Sequence, residues 1–339
     1  MIKKNKFKKT LFFILPPAVG IFLLASILYY IGLDAIIEAG KMLEWKGFLA
    51  ITSVFVLIFF ITAIRWGLIV REKYKTKLSL KTILTASVLD FTISYLTPTI
   101  YLGGEPARAY YLSQKTKISF KKGLISSIID KVLDLTGYIT ILIIGALAAL
   151  AHLTLPNNIR IVFEFATIFL LFGIVVLINR IMRKKKSFSK IICFILPKKI
   201  KFLDNLGKKI EKIEEEIINF FHDNPSFFKK VIFLTAISRL LFVLEVWLLI
   251  FFLGVKINLT AALTITAIIA LSYLFPIPGA LGSFEAAMTL SFPAIGLSSQ
   301  TGLVFALIIR TLYSAEAIIG IFVITHTVGK KMIRELFGV

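Results

Sequence analysis

Charged side chains stand inside the most apolar stretches of this sequence. Hydrophobic residues make up 58% of the chain and charged residues 17%, yet eleven ionisable groups interrupt the long apolar runs. They are Arg65, Asp90, Asp130, Lys131, Asp134, Glu164, Arg239, Glu245, Glu285, Arg310 and Glu316. A charge at the centre of a bilayer costs about 2.5–3.5 kcal/mol, so charges retained there are usually functional. Carboxylates suit an amine or a proton, and a guanidinium binds phosphate oxygens as a fork.

The balance of these groups favours a polar ligand. Seven of the eleven are acidic and four are basic, so complete pairing would leave carboxylates over. A zwitterionic or cationic phospholipid would use both kinds of group. Glu285 and Arg310 are the hardest to explain as structural pairs. Arg65 and Glu164 lie near the ends of apolar runs, where long side chains reach the membrane surface, so replacing Arg65 by Gln should leave activity intact.

Local pairing is the competing interpretation for the other charges. Asp130 and Asp134 lie one helical turn apart, with Lys131 nearby. Arg239 could pair with Glu245, although a separation of six residues is poor spacing on a helix. Both interpretations stay open on the sequence alone.

The composition requires membrane helices to position these groups. A mean hydropathy of +0.88 excludes a soluble globular enzyme and a disordered chain. One cysteine, Cys193, excludes an intramolecular disulfide framework and a cysteine-built metal site. A spanning helix needs about 20 mostly apolar residues. Six runs meet that length: Leu11–Leu33, Gly47–Val70, Lys131–Ala151, Ile161–Asn179, Val231–Leu253 and Gly302–Val328.

The net charge of +21 is concentrated in a few of the loops. Five segments are strongly basic: 1–10, 71–81, 101–122, 180–230 and 329–339. The segments 34–47, 152–160, 254–260 and 297–301 are nearly neutral. The positive-inside rule places the basic group, with both termini, in the cytoplasm. Such an excess in a membrane protein indicates cytoplasmic loops rather than nucleic-acid binding, and no nucleic-acid partner is expected.

Two further apolar stretches, Thr82–Tyr101 and Ala261–Ile295, are interrupted by proline and glycine. Both flanks of the first are basic and both flanks of the second are neutral, so each stretch is predicted to enter and leave on one side. With six spans, this gives an all-α polytopic membrane bundle of about six spanning helices and two oppositely oriented re-entrant hairpins. Each hairpin lies between two spans, and the two triplets are inverted copies, a pattern typical of transporters.

The hairpin tips share a motif. The first reads Pro98-Thr-Ile-Tyr-Leu-Gly103-Gly104-Glu105-Pro106-Ala-Arg108, and the second reads Pro276-Ile-Pro278-Gly279-Ala-Leu-Gly282-Ser283-Phe284-Glu285. Pro98 and Pro278 each precede a glutamate by seven residues. Proline and glycine make both tips non-helical. Such backbone exists at membrane depth only where protein or a polar cavity surrounds it. The competing interpretation is an ordinary loop at the bilayer edge.

These motifs, with Asp130-Lys131-x-x-Asp134 and Arg310, resemble the lysylphosphatidylglycerol synthase transmembrane-region family, also called flippase-like proteins. Two positions depart from the pattern: Lys131 stands where the family often has arginine, and Ala280 where it often has glycine. No segment of the chain could be the soluble aminoacyl-transferase domain of full-length synthases. The resemblance therefore implies lipid translocation rather than aminoacylation. It implies a substrate site at Gly103, Gly104, Glu105, Arg108, Asp130, Asp134, Pro278, Gly282, Glu285 and Arg310.

The chain is predicted to form one membrane domain, 1–339, with a basic cytoplasmic loop at 180–230. That loop contains an amphipathic helix with its apolar stripe at Leu203, Leu206, Ile210, Ile213, Ile217 and Phe220. We expect the helix either to lie on the membrane surface, where Arg183–Lys186 would attract anionic lipid, or to pack on the bundle.

The leading functional hypothesis is the flipping or scrambling of a phospholipid or polyprenyl-phosphate lipid in the cell membrane. Partners would be membrane lipids, anionic or aminoacylated, and an oligomer is compatible with the sequence. No catalytic residue, metal site or cofactor is predicted, and no nucleotide-binding motif is present. The alternatives are a membrane-embedded transferase, such as one related to phosphatidylglycerol lysyltransferase, and an accessory subunit for lipid or envelope modification. Proteins of the DedA type are an architectural alternative, since they also pair re-entrant hairpins.

Overall fold

A computed structural model of the chain describes residues 44–97, 103–152, 157–182, 201–273 and 277–328, with four isolated positions before residue 44. The described part is helical and contains no strand. The predicted span Leu11–Leu33, the cluster Arg183–Lys186, Pro98 and Pro276 lie outside the described residues.

Ten α-helices follow one another in the described part. They are α1 (Trp45–Tyr74), α2 (Leu80–Leu96), α3 (Glu105–Lys115), α4 (Phe120–His152), α5 (Asn157–Met182), α6 (Lys201–Asp223), α7 (Pro225–Phe252), α8 (Leu259–Ser272), α9 (Ser283–Ser291) and α10 (Ser299–Val323). Two 3₁₀ turns, Pro278–Ala280 and Phe292–Ile295, flank α9, and a π-helical turn, Ile324–Val328, follows α10.

Among the described residues, α1, α4, α7 and the α10 region are long and apolar enough to cross a membrane. The chain is therefore an all-α polytopic bundle, as predicted. The predicted span Ile161–Asn179 lies within α5, and its crossing of the membrane stays a prediction. The predicted span Lys131–Ala151 lies within α4, which begins eleven residues earlier, at Phe120. In this earlier part the hydroxyls of Ser126 and Ser127 donate to the carbonyl of Gly123, so these polar side chains are satisfied inside a buried helix.

The two halves of the bundle follow the same order of elements. Their first helices begin at Trp45 and Pro225, 180 residues apart. The helices α2 and α8 begin 179 residues apart, and so do α4 and α10. Helices of one half also pack on helices of the other: α1 packs on α7, α2 on α10, and α8 on α4. The helix that follows each interruption, α3 or α9, packs on the last helix of its own half.

The interrupted segments are built from short helices. Those of the first have 17 and 11 residues, and those of the second 14 and 9. At 1.5 Å per residue, each is shorter than the roughly 30 Å hydrocarbon core. Backbone of positive φ marks the second interruption, at Gly279 (56°), Ala280 (52°) and Gly282 (77°). Ala280 holds a left-handed conformation that a second glycine would adopt without steric cost.

The predicted amphipathic helix forms α6, and its described stripe packs on the bundle. Ile213, Ile217 and Phe220 join a cluster formed by α1, α4 and α7. Lys73 of α1 lies 5.2 Å from the ring centre of Phe220 and 3.7 Å from Glu216. Of the two expected positions for this helix, the structure supports packing on the bundle for 211–223. The stripe residues Leu203, Leu206 and Ile210 lie outside the described side chains.

Candidate functional site

A cavity of about 330 Å³ lies between the two halves. Part of its wall is aromatic and aliphatic, and part is charged. The lining residues are Phe55, Ile58, Phe59, Thr62 and Arg65 of α1, Ser87, Asp90, Phe91 and Ser94 of α2, Arg108 of α3, Asp130, Lys131, Asp134, Leu135, Tyr138, Ile139 and Leu142 of α4, Arg239, Phe242 and Glu245 of α7, Ala270 of α8, the adjoining Tyr273, and Tyr313 and Glu316 of α10.

The cavity wall changes between charged and uncharged side chains along individual helices. On α1 the lining residues from Phe55 to Thr62 carry no charge, and Arg65 follows them. On α4 the charged residues come first, and the lining residues from Leu135 to Leu142 are uncharged. One cavity therefore offers both a charged surface and an apolar surface, the two environments that a lipid headgroup and its chains require.

A network of ion pairs forms the charged part. Arg65 Nε lies 2.7 Å from Asp130 and its Nη2 lies 3.1 Å from Asp134. Arg108 lies 2.7 Å from Asp90 and 2.9 Å from Asp130. Arg239 of the second half reaches Asp134 at 2.6 Å, and Lys131 lies 3.3 Å from Glu105. We call these four cations and four carboxylates the charge network.

The network corrects the expectation for Arg65. Its side chain is 1% exposed, so it does not extend to the membrane surface. Its guanidinium instead bridges Asp130 and Asp134 and donates to the hydroxyl of Thr235 on α7 at 3.0 Å. The arginine partners of Asp130 and Asp134 lie 22 to 105 residues away in the sequence, so helical spacing gave no signal for them. Glu164, by contrast, is half exposed and pairs with Arg160.

The structure does not contain the ion pair between Arg239 and Glu245 that was considered from the sequence of α7. Arg239 pairs with Asp134 and lies 3.8 Å from the ring centre of Tyr138. Glu245, which the spacing offered as its partner, lines the cavity without an ion pair among the described residues.

The glutamates of the two tip motifs occupy matching positions. Glu105 begins α3 and accepts a hydrogen bond from the backbone N–H of Gly103 at 2.7 Å. Glu285 lies in the first turn of α9 and accepts from the N–H of Gly282 at 2.7 Å. Each is also paired with a cation of the next long helix: Glu105 with Lys131, and Glu285 with Arg310.

Arg310 binds the second tip with its whole guanidinium. It donates to both carboxylate oxygens of Glu285 and to the hydroxyl of Tyr95 at 3.1 Å. The carbonyls of Gly279 and Ala280 accept from it at 3.1 and 3.2 Å. These five bonds use all five N–H donors of an arginine side chain, so Arg310 has a structural task in this conformation.

The two interruptions are in contact with each other. A Cβ atom on Gly279 would lie 2.7 Å from the Tyr95 ring, so this position of the second tip packs directly on the end of α2. Aromatic rings extend the contact: Tyr95 and Tyr313 have centres 6.5 Å apart, and Tyr313 and Tyr273 also 6.5 Å apart. The rings of Phe91, Tyr273 and Tyr313 also line the cavity.

The predicted site residues thus fall into two groups. Arg108, Asp130 and Asp134 line the cavity. Gly103, Gly104, Glu105, Pro278, Gly282, Glu285 and Arg310 build the tips. Gly104 is required sterically, since a Cβ there would lie 1.9 Å from the carbonyl oxygen of Asp90.

Sequence reasoning left several cavity residues out of its predicted site. Asp90, Lys131, Arg239, Glu245 and Glu316 all line the cavity. Each of them is an ionisable residue inside an apolar stretch, and this feature of the sequence could have identified them. Among the described residues, no group of three or more His, Cys, Asp and Glu is arranged to hold a metal ion.

Comparison with known proteins agrees with this architecture. A family model described as the lysylphosphatidylglycerol synthase TM region matches residues 13–319. The UPF0104 membrane protein MJ1595 of Methanocaldococcus jannaschii is 26% identical over 329 residues, which cover 92% of this chain and 94% of that protein. Because the family model spans both interrupted segments and the helices around the cavity, the chain belongs to the lysylphosphatidylglycerol synthase TM-region family.

Proposed function

We propose that this protein translocates a phospholipid or a polyprenyl-phosphate lipid across the cell membrane. The observation that carries the proposal is the cavity between the two halves, whose wall joins a buried charge network to an aromatic and aliphatic surface. A lipid crossing a bilayer needs a polar path for its headgroup, because a charge in hydrocarbon is costly. Its chains need an apolar path beside the polar one, and the same cavity offers both.

Arg108 and Arg239 are the residues proposed to bind the lipid phosphate. Both line the cavity, and the Nε–H of each is buried without a hydrogen-bond partner among the described residues. The faces of both guanidinium groups lie against aromatic rings, Arg108 at 4.8 Å from Trp66 and Arg239 at 3.8 Å from Tyr138. A phosphate oxygen would supply the missing acceptors. Asp130 and Asp134 would hold the two arginines in place and meet a headgroup amine.

The aromatic and aliphatic wall is the proposed path of the acyl or prenyl chains. It is formed by residues one helical turn apart on α1 and α4, for example Phe55 and Phe59, and Leu135 and Ile139. In this proposal the wall opens to the surrounding lipid near Leu135, which is 41% exposed.

The two interrupted segments are proposed to be re-entrant hairpins, one entering from each side, with both termini in the cytoplasm. Their short helices, the contact between Gly279 and Tyr95 and the matched glutamates support this arrangement. Arg310 and Lys131 would hold the tips through Glu285 and Glu105. In this proposal no bond is made or broken, so the protein is not an enzyme. The transferase hypothesis would require a substrate bond to be cleaved at the same cavity.

Reconstitution into liposomes tests the proposal. A fluorescent phospholipid in both leaflets is bleached from outside by an impermeant reductant, and translocation appears as bleaching of more than the outer-leaflet fraction. We expect the wild-type protein to accelerate it. Arg108→Gln and Arg239→Gln should slow translocation by roughly ten- to a hundredfold, since a hydrogen bond to a charged group is worth about 1.5–3 kcal/mol.

The matched control is Arg160→Gln, which removes an exposed arginine of α5 paired with Glu164. It should translocate lipid at the wild-type rate. Rates are compared per folded molecule, with folding followed by gel filtration and thermal unfolding in detergent. Wild-type rates in folded Arg108→Gln and Arg239→Gln would remove both arginines from the path, and no acceleration by the wild type with any phosphate lipid would reject the function.

A further inference from the structure

We infer that Glu245 and Glu316 are proton-binding carboxylates that couple translocation to the proton gradient. The inference rests on the proposed function and adds to it a source of energy. The two carboxylates lie outside the charge network, one on α7 and one on α10, and both line the cavity.

The two glutamates differ from the other acidic residues of the cavity. Each carboxylate of the charge network has a cation within 3.3 Å. Glu245 is 1% exposed, and one carboxylate oxygen of Glu245 and one of Glu316 are buried with no hydrogen-bond partner among the described residues. Neither residue forms an ion pair in the part of the chain that the structure describes. An ionised carboxylate is costly to bury unpaired, whereas the protonated acid carries no charge.

In the register of the two halves, Glu245 corresponds to a paired residue of the first half. It lies 180 residues after Arg65, the same separation as between the starts of α1 and α7. In the first half, Arg65 pairs with Asp130 and Asp134 of α4. At the register of α4 and α10, 179 residues, the corresponding positions of the second half hold Ile309 and Tyr313. At these corresponding positions the second half has a carboxylate where the first has a guanidinium, and uncharged residues where the first has aspartates.

The other ionisable groups of the cavity leave the two glutamates as its carboxylates without an ion pair among the described residues. The charged side chains that line it beside them are Arg65, Asp90, Arg108, Asp130, Lys131, Asp134 and Arg239, and each of these cations has a carboxylate partner. The titratable phenols that line it are Tyr138, Tyr273 and Tyr313. At the tip packed against α2 and α10, Tyr95 and Glu285 both accept hydrogen bonds from Arg310.

A proton fits this site better than a metal cation does. Metal cations in proteins take several oxygen ligands, and no cluster of three or more His, Cys, Asp and Glu that could hold one is present in 44–97, 103–152, 157–182, 201–273 and 277–328. A proton needs one carboxylate oxygen. It would bind from water when the cavity is open to one side of the membrane and leave to water when the cavity opens to the other.

Steady-state lipid distribution tests the coupling. Proteoliposomes with fluorescent phosphatidylglycerol are held with and without a gradient of one pH unit, and the outer-leaflet fraction is measured with the impermeant reductant. We expect the gradient to shift that fraction for the wild type. Glu245→Gln and Glu316→Gln imitate the protonated acids, so they should still exchange lipid but lose the shift. The control Glu164→Gln, at an exposed site on α5, should behave as the wild type.

A wild-type distribution that ignores the gradient would overturn the coupling, and so would variants that keep the full shift. A parallel experiment with phosphatidylethanolamine tests whether the two carboxylates bind a headgroup amine rather than a proton. If translocation is independent of the gradient, requires the amine lipid and is lost in both variants, the carboxylates bind the headgroup and the inference is wrong.

A second measurement does not depend on translocation. In pH-difference infrared spectra of the purified protein, protonation of a buried carboxylic acid produces a C=O stretching band. We expect Glu245→Gln and Glu316→Gln each to weaken this band, and Glu164→Gln to leave it unchanged. An unchanged band in both site variants would reject the proton site. If the wild type moves no lipid but the band depends on both glutamates, the proposed function fails while the proton site stands.

Discussion

The arginines of this protein differ in how many of their hydrogen-bond donors the protein itself uses. Arg310 has all five engaged by the second tip. Arg108 and Arg239 bind carboxylates through terminal nitrogens but keep a buried Nε–H that finds no acceptor in the described part of the chain. This difference separates a guanidinium that holds the fold from one that has capacity left for a ligand. The type of side chain alone cannot reveal it, because the donors are used by residues far away in the sequence.

Arg65 should be essential for stability. Its replacement by Gln leaves Asp130 and Asp134 with one cation fewer each, at a position that is 1% exposed. Breaking a buried ion pair by removing one partner costs about 3–5 kcal/mol, so Arg65→Gln should lower the thermal unfolding temperature in detergent strongly. Arg160→Gln, at an exposed pair, should change it little. Equal unfolding temperatures for the two variants would restore the expectation that Arg65 reaches the membrane surface.

The helices pack closely at a few glycines, and these contacts hold the two halves together. At Gly145 of α4, a Cβ would lie 2.4 Å from the carbonyl oxygen of Leu263 on α8. At Gly320 of α10 it would lie 1.7 Å from the hydroxyl of Thr92 on α2. Both contacts join the last helix of one half, α4 or α10, to the helix that begins the interrupted segment of the other half, α8 or α2. The small residue allows the backbones to approach, as is common between membrane helices.

Two glycines inside long helices give a matched test of that packing. Gly145→Ala places a methyl group against backbone that cannot move away easily, so it should destabilise the protein and weaken the contact of α4 with α8. A Cβ at Gly173 on α5 meets none of the described atoms within 4 Å, so Gly173→Ala should be neutral or stabilising by up to about 1 kcal/mol, since alanine favours helix. Thermal unfolding of both variants in detergent measures the difference. A Gly145→Ala protein as stable as Gly173→Ala would contradict the close packing.

At the scale of the whole molecule, the length of the apolar runs predicted more of the structure than residue pairing could. The helices around Gly47–Val70 and Val231–Leu253 were predicted because twenty apolar residues leave few other structures in a membrane. The first residues of α4 lay outside the predicted span because serines are polar in the sequence, even where their hydroxyls bond to the helix backbone and are buried. The pairing of Asp134 on α4 with Arg239 on α7 depends on how the two halves pack on each other, and no local pattern contains that information.

The orientation of the whole molecule is predicted by its loop charges and can be tested by labelling. In a Cys193→Ser background, single cysteines at the exposed positions Lys77 and Lys115 flank the first interrupted segment, and those at Lys256 and Gln300 flank the second. If the segments are re-entrant from opposite sides, an impermeant maleimide added to intact cells should label the cysteines at 256 and 300. The other two should react only after the membrane is opened. The positive-inside rule supports this arrangement because the loops around the first segment are basic. Reaction of the two members of either pair from opposite sides would make that segment a spanning element and would remove the inverted relation between the halves.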